Sequence, residues 1–305
     1  MAELIDLVQQ SLSEETIPAY MDRVENQAAT LREAIRAGEL DNDDFAVGLE
    51  MEVYAVERDE ESSLADLPQS VFDAGATKEL GIHNAEINTD PDVFDGSGLR
   101  SQADRIEAAF RAADDAAQES DRLLISDAMW TIAPEEGADS YLTDVEIEDG
   151  VTVAANMRTD PRYAAIDNDV LRAFGGEIGL DVPGVDRRFP SILFESLATS
   201  IQPHLQIPTA EQFPAYYNAA IRTLGPVLAL TTNSPFLPPE LYTDVDDPMA
   251  LVDRTHHELR IAVFEQSVNA TPNPKVCVPA DIDSAEETID RVVEDELVAP
   301  FLREW

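Results

Sequence analysis

Residues 45–56, FAVGLEMEVYAV, constrain the fold more than any other stretch of the chain. A strand sends successive side chains to opposite faces. Phe45, Val47, Leu49, Met51, Val53 and Ala55 then share one continuous apolar face. The other face carries Ala46, Gly48, Glu50, Glu52, Tyr54 and Val56. The apolar face has to be covered by core. The second face holds two carboxylates whose Cα atoms lie about 6.5–7 Å apart. Charges of one sign at that spacing repel, so this face is either open to water or shares a cation. Gly48 leaves room for a ligand to approach.

Two later segments repeat the pattern. In GIHNAEINTDP, Ile82, Asn84, Glu86 and Asn88 fall on one face. An edge strand with one polar face would look the same. In TSIQPHLQIPT, Ser200, Gln202, His204 and Gln206 oppose Ile201, Pro203, Leu205 and Ile207. Pro203 argues for an edge position or a bulge. Together the three segments supply Glu50, Glu52, Glu86, His204 and Gln206. Oxygen donors with a single imidazole suit Mg²⁺ or Mn²⁺ better than zinc.

Helical periodicity covers residues 14–37, with Gly38 as a stop, and 101–122. A third helix is expected over 213–233, kinked at Pro226. A fourth runs over 283–305, opened by Asp283 or Ser284. LLISDAMWTI (123–132) reads as a buried strand, and 135–150 and 175–190 as loops. Strands and helices alternate without a regular β-α-β beat, which favours α+β. One unit over 1–305 is expected, with a helical segment at 1–40 and a helix at 283–305.

Charge limits the partners. The chain has 62 acidic and 20 basic residues, a formal charge of −42. Such a surface excludes general nucleic-acid binding and disfavours anionic membranes. The acids are spread along the whole length, and Lys78 and Lys275 are the only lysines. That pattern suits a protein kept soluble in concentrated salt, in a halophilic cytosol, because self-repulsion at this charge needs screening. The start, MAELIDLVQQ, lacks the basic region of a signal peptide. No apolar run reaches the length of a membrane span. The single Cys277, in KVCVPAD, excludes an internal disulfide and reads as a core or edge-strand residue.

Phosphate-binding loops of the G-x-x-x-x-G-K-[ST] and G-x-G-x-x-G types are absent. A nucleotide would have to be met by metal ions and arginine. Arg158, Arg162, Arg254 and Arg260 are the candidate clamps, each equally readable as a surface ion-pair partner.

In order along the chain, VGLEMEVYAV, HNAEINTDP, SDAMWTI, RTDPRY, QPHLQIP and LGPVLALTTNSPF resemble the motifs of the glutamate–cysteine ligase and carboxylate–amine ligase family. The resemblance covers about residues 43–270. It implies a curved, mainly antiparallel sheet of the glutamine-synthetase type with helices on one face. It implies ATP and Mg²⁺ (or Mn²⁺) as cofactors and amino acids as substrates, glutamate and cysteine foremost. Glu50, Glu52, Glu86 and His204 would hold the metals, and Gln206 would assist metal or nucleotide binding. Arg158 or Arg162 would hold a carboxylate or the moving phosphoryl group. The family's late T-x-E-x-R strand is matched by HHELRIAVF, through Glu258 and Arg260, or lies beyond residue 305. A non-catalytic relative and a metal-dependent hydrolase are the alternative readings. A homo-oligomer is left open.

Overall fold

A computed structural model describes residues 1–60, 62–243, 245, 247–269, 276–295 and 299–300. Two helices lead, α1 (Ala2–Ser11) and α2 (Thr16–Ala37), the second closed by Gly38 in the left-handed conformation at φ 71°. β1 (Ala46–Glu57) follows. Next come β2 (Leu64–Ala65), α3 (Gln69–Asp73), β3 (Thr77–Lys78), β4 (Asn84–Asn88) and β5 (Asp92–Val93). A long helix, α4 (Gly96–Gln118), leads into β6 (Arg122–Ile125). The middle of the chain forms α5 (Ala138–Thr143), β7 (Val145–Glu148), β8 (Val151–Ala154), α6 (Pro161–Phe174), β9 (Ile178–Val182) and β10 (Val185–Phe189). A 3-10 turn over Ile192–Leu197 precedes β11 (Ile201–Gln206). The last described elements are α7 (Phe213–Thr231), α8 (Pro248–Val252), α9 (Leu259–Val268) and α10 (Ala285–Glu294).

The protein is α+β, built on a strongly curled antiparallel sheet with β1 at its centre. Twelve residues let β1 pair with five other strands. On one side it meets β5, β4 and β2 in turn. On the other it meets β11 along its first half and β6 along its second. β4 continues to β3, and β11 is an edge.

The two faces of β1 have separate fates. Met51, Val53 and Ala55 sit in an apolar layer with Ala85 and Ile87 of β4, closed by Ile106, Phe110, Ala113 and Ala117 of α4. Tyr54 and Val56, on the opposite face, enter the main core around Trp130, Phe189 and Phe194. That core fills only one end of the concave face. The rest, from Ala46 to Glu52, stays open.

Several expectations change. Residues 175–190 are the β9–β10 hairpin and not a loop, with Gly184 at φ 85° in its turn. Residues 135–150 contain α5 and β7. The strand expected over 123–132 ends at Ile125, after which only Met129 makes an isolated bridge, to Ala198. HHELRIAVF is not a strand: Leu259, Val263 and Ser267 recur at helical spacing and are buried as one face of α9. Cys277 is exposed and not a core residue. The expected helix at 283–305 is described as α10, capped by the Ser284 side chain, while 296–298 and 301–305 lie outside the described residues. Among the described residues no helix is long and apolar enough to cross a membrane.

Candidate active site on the concave face of the sheet

Strand register brings the three polar faces together. Across β1 and β11, Gly48 stands opposite His204, and Glu50 opposite Gln202. Across β1 and β4, Glu52 stands opposite Glu86, and Glu50 opposite Asn88. Glu50, Glu52, Glu86 and His204 therefore share one face of three adjacent strands. The His204 Nε2 lies 3.1 Å from a Glu50 carboxylate oxygen. Glu52 is held by Ser200, whose backbone N–H donates at 2.8 Å and whose hydroxyl donates at 2.9 Å. Glu50, Glu86, His204 and Gln206 line an open cleft of about 600 Å³, with Lys78 and Arg162 at its wall. Arg162 is placed there by α6, whose N-cap Asp160 accepts a hydrogen bond from the Arg162 N–H at 2.8 Å.

Two further carboxylates escaped the sequence reading. Glu79 and Glu195 line a small cavity with Glu52 and Asn84. Glu195 is raised to about 8, first by burial and then by the charges of Glu52 and Glu79. Glu79 is raised to about 7, by burial and then by Glu52 and Glu86. Glu52 is raised too, chiefly by burial, with its Ser200 bonds working the other way. Glu79 stands in a short connection without periodicity, so pattern reading had no hold on it. Glu195 did leave a signal: it is the one acid inside the apolar run SILFESLA.

The turn carrying Glu195 is fixed from both ends. Asp167 on α6 accepts from the Ser191 hydroxyl at 2.9 Å and the Ile192 N–H at 2.8 Å. At the far end the Ser196 carbonyl accepts from the Trp130 indole N–H at 3.0 Å and from His83 Nε2 at 3.1 Å. His83 is fully buried and lowered to about 4, so it is neutral. Its Nδ1 then accepts from the Tyr141 hydroxyl at 2.7 Å.

The donor set fits a hard divalent cation. Glu52, Glu79 and Glu195 crowd together, each raised above the usual carboxylate range by burial and by its acidic neighbours, and the Asn84 Oδ1 is buried with no donor. Oxygen-rich sites of this kind are relieved by Mg²⁺ or Mn²⁺. Among the described residues, no three acidic, histidine or cysteine side chains stand close enough to enclose an ion as they are placed.

The other arginines are placed differently. Arg158 donates to the carbonyls of Ile82 and Asn84, at 2.7 and 3.2 Å, and stacks 4.6 Å from the Phe72 ring centre. It braces the connection into β4 and lines neither large cleft. Arg254, in the turn after α8, is exposed and donates to the Ala250 carbonyl of that helix. Arg260 forms a two-point pair with Glu258, at 2.6 and 2.8 Å, and donates to the Thr199 carbonyl at 2.9 Å. Glu258 also accepts from the Ser234 hydroxyl. This pair borders a second cleft, of about 460 Å³, lined by Glu52, Glu195, Leu228 and Phe264.

A curled antiparallel sheet with an acid- and imidazole-lined concave face is a frame for chemistry on charged substrates, with metal ions as the natural counter-charge. The sequence pattern defines the group more closely. The family model for glutamate-cysteine ligase family 2 (GCS2) matches residues 46–305, and the chain belongs to that family. The match begins at the first residue of β1 and takes in every strand of the sheet. A search of curated proteins found no match.

Proposed function

We propose that the chain is an ATP-dependent carbon–nitrogen ligase that joins the carboxylate of glutamate to an amine, with cysteine as the amine donor, through an acyl phosphate. One observation carries this reading. Glu50, Glu86 and His204 line one open cleft, and Glu52 shares their face of the three strands, in a member of a ligase family. These four, with Glu79 and Glu195, would hold Mg²⁺. Bound metal would offset polyphosphate charge and the charge that shifts during phosphoryl transfer.

The chain's own groups divide the remaining work. Arg162 and Lys78 are the cations of the larger cleft and would orient an anionic oxygen of phosphate or carboxylate. Ser200, giving Glu52 two hydrogen bonds, keeps that carboxylate aimed into the site. Gln206 presents an uncharged amide at the rim, suited to a nucleotide or substrate polar group.

A second reading, binding without turnover, has one observation in its favour. Arg260 is already committed to Glu258 and the Thr199 carbonyl, so it is not free to grip a phosphate. One assay separates the two. ADP and amide are measured in molar KCl with Mg²⁺, ATP, glutamate and a panel of amines, beside Glu52→Gln. ADP and amide formed in equal amounts, and lost in the variant, support the ligase. Nucleotide bound without ADP release supports the second reading. A folded chain that does neither overturns both.

A further inference from the structure

The crowded carboxylates stand on three separate segments of the chain. Glu52 is on β1, Glu79 and Glu86 lie on the stretch that leads into and along β4, and Glu195 is in the turn before β11. Like charges push such segments apart, so their spacing needs an anchor. His83 touches all three segments. It lies between Glu79 and Glu86 in the sequence. Its carbonyl accepts from the Ala55 N–H of β1 at 3.1 Å. Its Nε2 lies 3.1 Å from the carbonyl oxygen of Ser196, the residue after Glu195. The Glu195 turn is a 3-10 turn of six residues, whose internal hydrogen bonds have poor geometry, so it depends on anchors of this kind.

Elementary chemistry places the proton on this ring. A carbonyl oxygen only accepts, so Nε2 has to carry the hydrogen. In the neutral ring the lone pair then sits on Nδ1, where the Tyr141 hydroxyl donates at 2.7 Å. The Trp130 indole N–H reaches the same Ser196 oxygen at 3.0 Å, so that carbonyl is held from two directions. His83, Trp130 and Tyr141 meet edge to face, with ring centres 5.5 to 6.2 Å apart, and all three are buried. Gly81 makes room for the imidazole, since a Cβ there would stand 2.6 Å from the His83 Cε1. An apolar side chain could fill this space, but it could not hold the Ser196 carbonyl.

We propose that His83, kept in its Nε2–H tautomer by Tyr141, is a positioning residue that sets Glu195 against Glu52, Glu79 and Glu86, and thereby tunes the affinity of this cluster for a divalent cation. The inference rests on the reading of these carboxylates as Mg²⁺ ligands. It adds to that reading a buried pair that stands behind the ligands and acts through the Ser196 carbonyl. Hydrogen bonds of this outer kind orient the groups that meet a metal and make up part of its affinity.

The test is Mn²⁺ binding to the metal-free chain, read by electron paramagnetic resonance in molar KCl, beside thermal unfolding of the same samples. His83→Leu should weaken Mn²⁺ binding about tenfold. His83→Gln, which keeps an N–H donor near the place of Nε2, should recover most of that loss. Tyr141→Phe removes a single hydroxyl and should weaken binding by less, and it carries the test if His83→Leu does not fold. A residue that only filled the core would lower Tm and leave the Mn²⁺ affinity of the folded chain unchanged. Unchanged affinity in His83→Leu, or in Tyr141→Phe where it stands in, overturns the inference and leaves the metal reading in place. So does His83→Gln binding no better than His83→Leu. A parent that binds no Mn²⁺ overturns the metal reading, and the inference falls with it.

Discussion

Replacing Glu195 with glutamine should make the metal-free protein more stable at high pH and leave it unchanged at low pH. An unfolded glutamate titrates near 4.5, whereas folded Glu195 is raised to about 8 by burial beside Glu52 and Glu79. Between those values the folded state binds more protons than the unfolded state. Stability conferred by this group is therefore fully present below pH 4.5 and is lost as pH rises through about 8, at up to about 1.4 kcal/mol per pH unit. Summed over the interval, the single group reaches about 4 kcal/mol at pH 8. Glu195 keeps part of its surface accessible, so roughly half of that, about 2 kcal/mol, is the reasonable expectation. For a chain of this size it corresponds to about 3 °C in Tm. The assay is thermal unfolding by circular dichroism in molar KCl with EDTA, for parent and Glu195→Gln, from pH 5 to 8.5. High salt screens the exposed acids and leaves the enclosed cluster less affected, so the acidic surface should not mask the effect. Added Mg²⁺ should flatten the parent's slope more than the variant's. Identical pH slopes in parent and variant would refute the argument.

Two packing predictions accompany it. Gly98→Ala, in the first turn of α4, should cost at least about 2 kcal/mol, because the added Cβ would run into the Val93 carbonyl, whereas Gly96→Ala meets only the Arg100 side chain and should be neutral or mildly stabilising. Melting both variants decides it, and equal stabilities would mean that α4 does not sit against β5 as described. Asp167→Ala should lower stability by about 3 kcal/mol, since the Ser191 hydroxyl and Ile192 N–H would be left buried without an acceptor. Urea unfolding measures the loss, and a change under about 1 kcal/mol would show that Asp167 does not hold the Glu195 turn.

The sequence alone determined the central strand and its two faces. Strict alternation from Phe45 to Ala55 left one way to place Glu50 and Glu52, and the same rule oriented Glu86 and His204. Such patterns are legible because a strand's side-chain period is fixed by the backbone itself. The family resemblance, from motifs in order along the chain, anticipated the curled sheet for the same reason: it rests on local segments.

Everything that depended on contact between distant segments was decided by the tertiary structure. Glu79 and Glu195 join Glu52 only because the connection before β4 and the turn before β11 fold onto one spot. Their high pKa values come from that enclosure, and no residue pattern encodes an environment. Arg158 and Arg260 looked equivalent in the sequence, yet one braces backbone carbonyls and the other is locked to Glu258. HHELRIAVF (256–264) read as a strand by analogy, yet its residues from Leu259 on fold as a helix, because Leu259 and Val263 find the main core when spaced by a helical turn. The stretch from 196 to 239, with Glu211 as its single acid, was visible in the sequence all along, but only the fold showed that α7 within it has no buried residue.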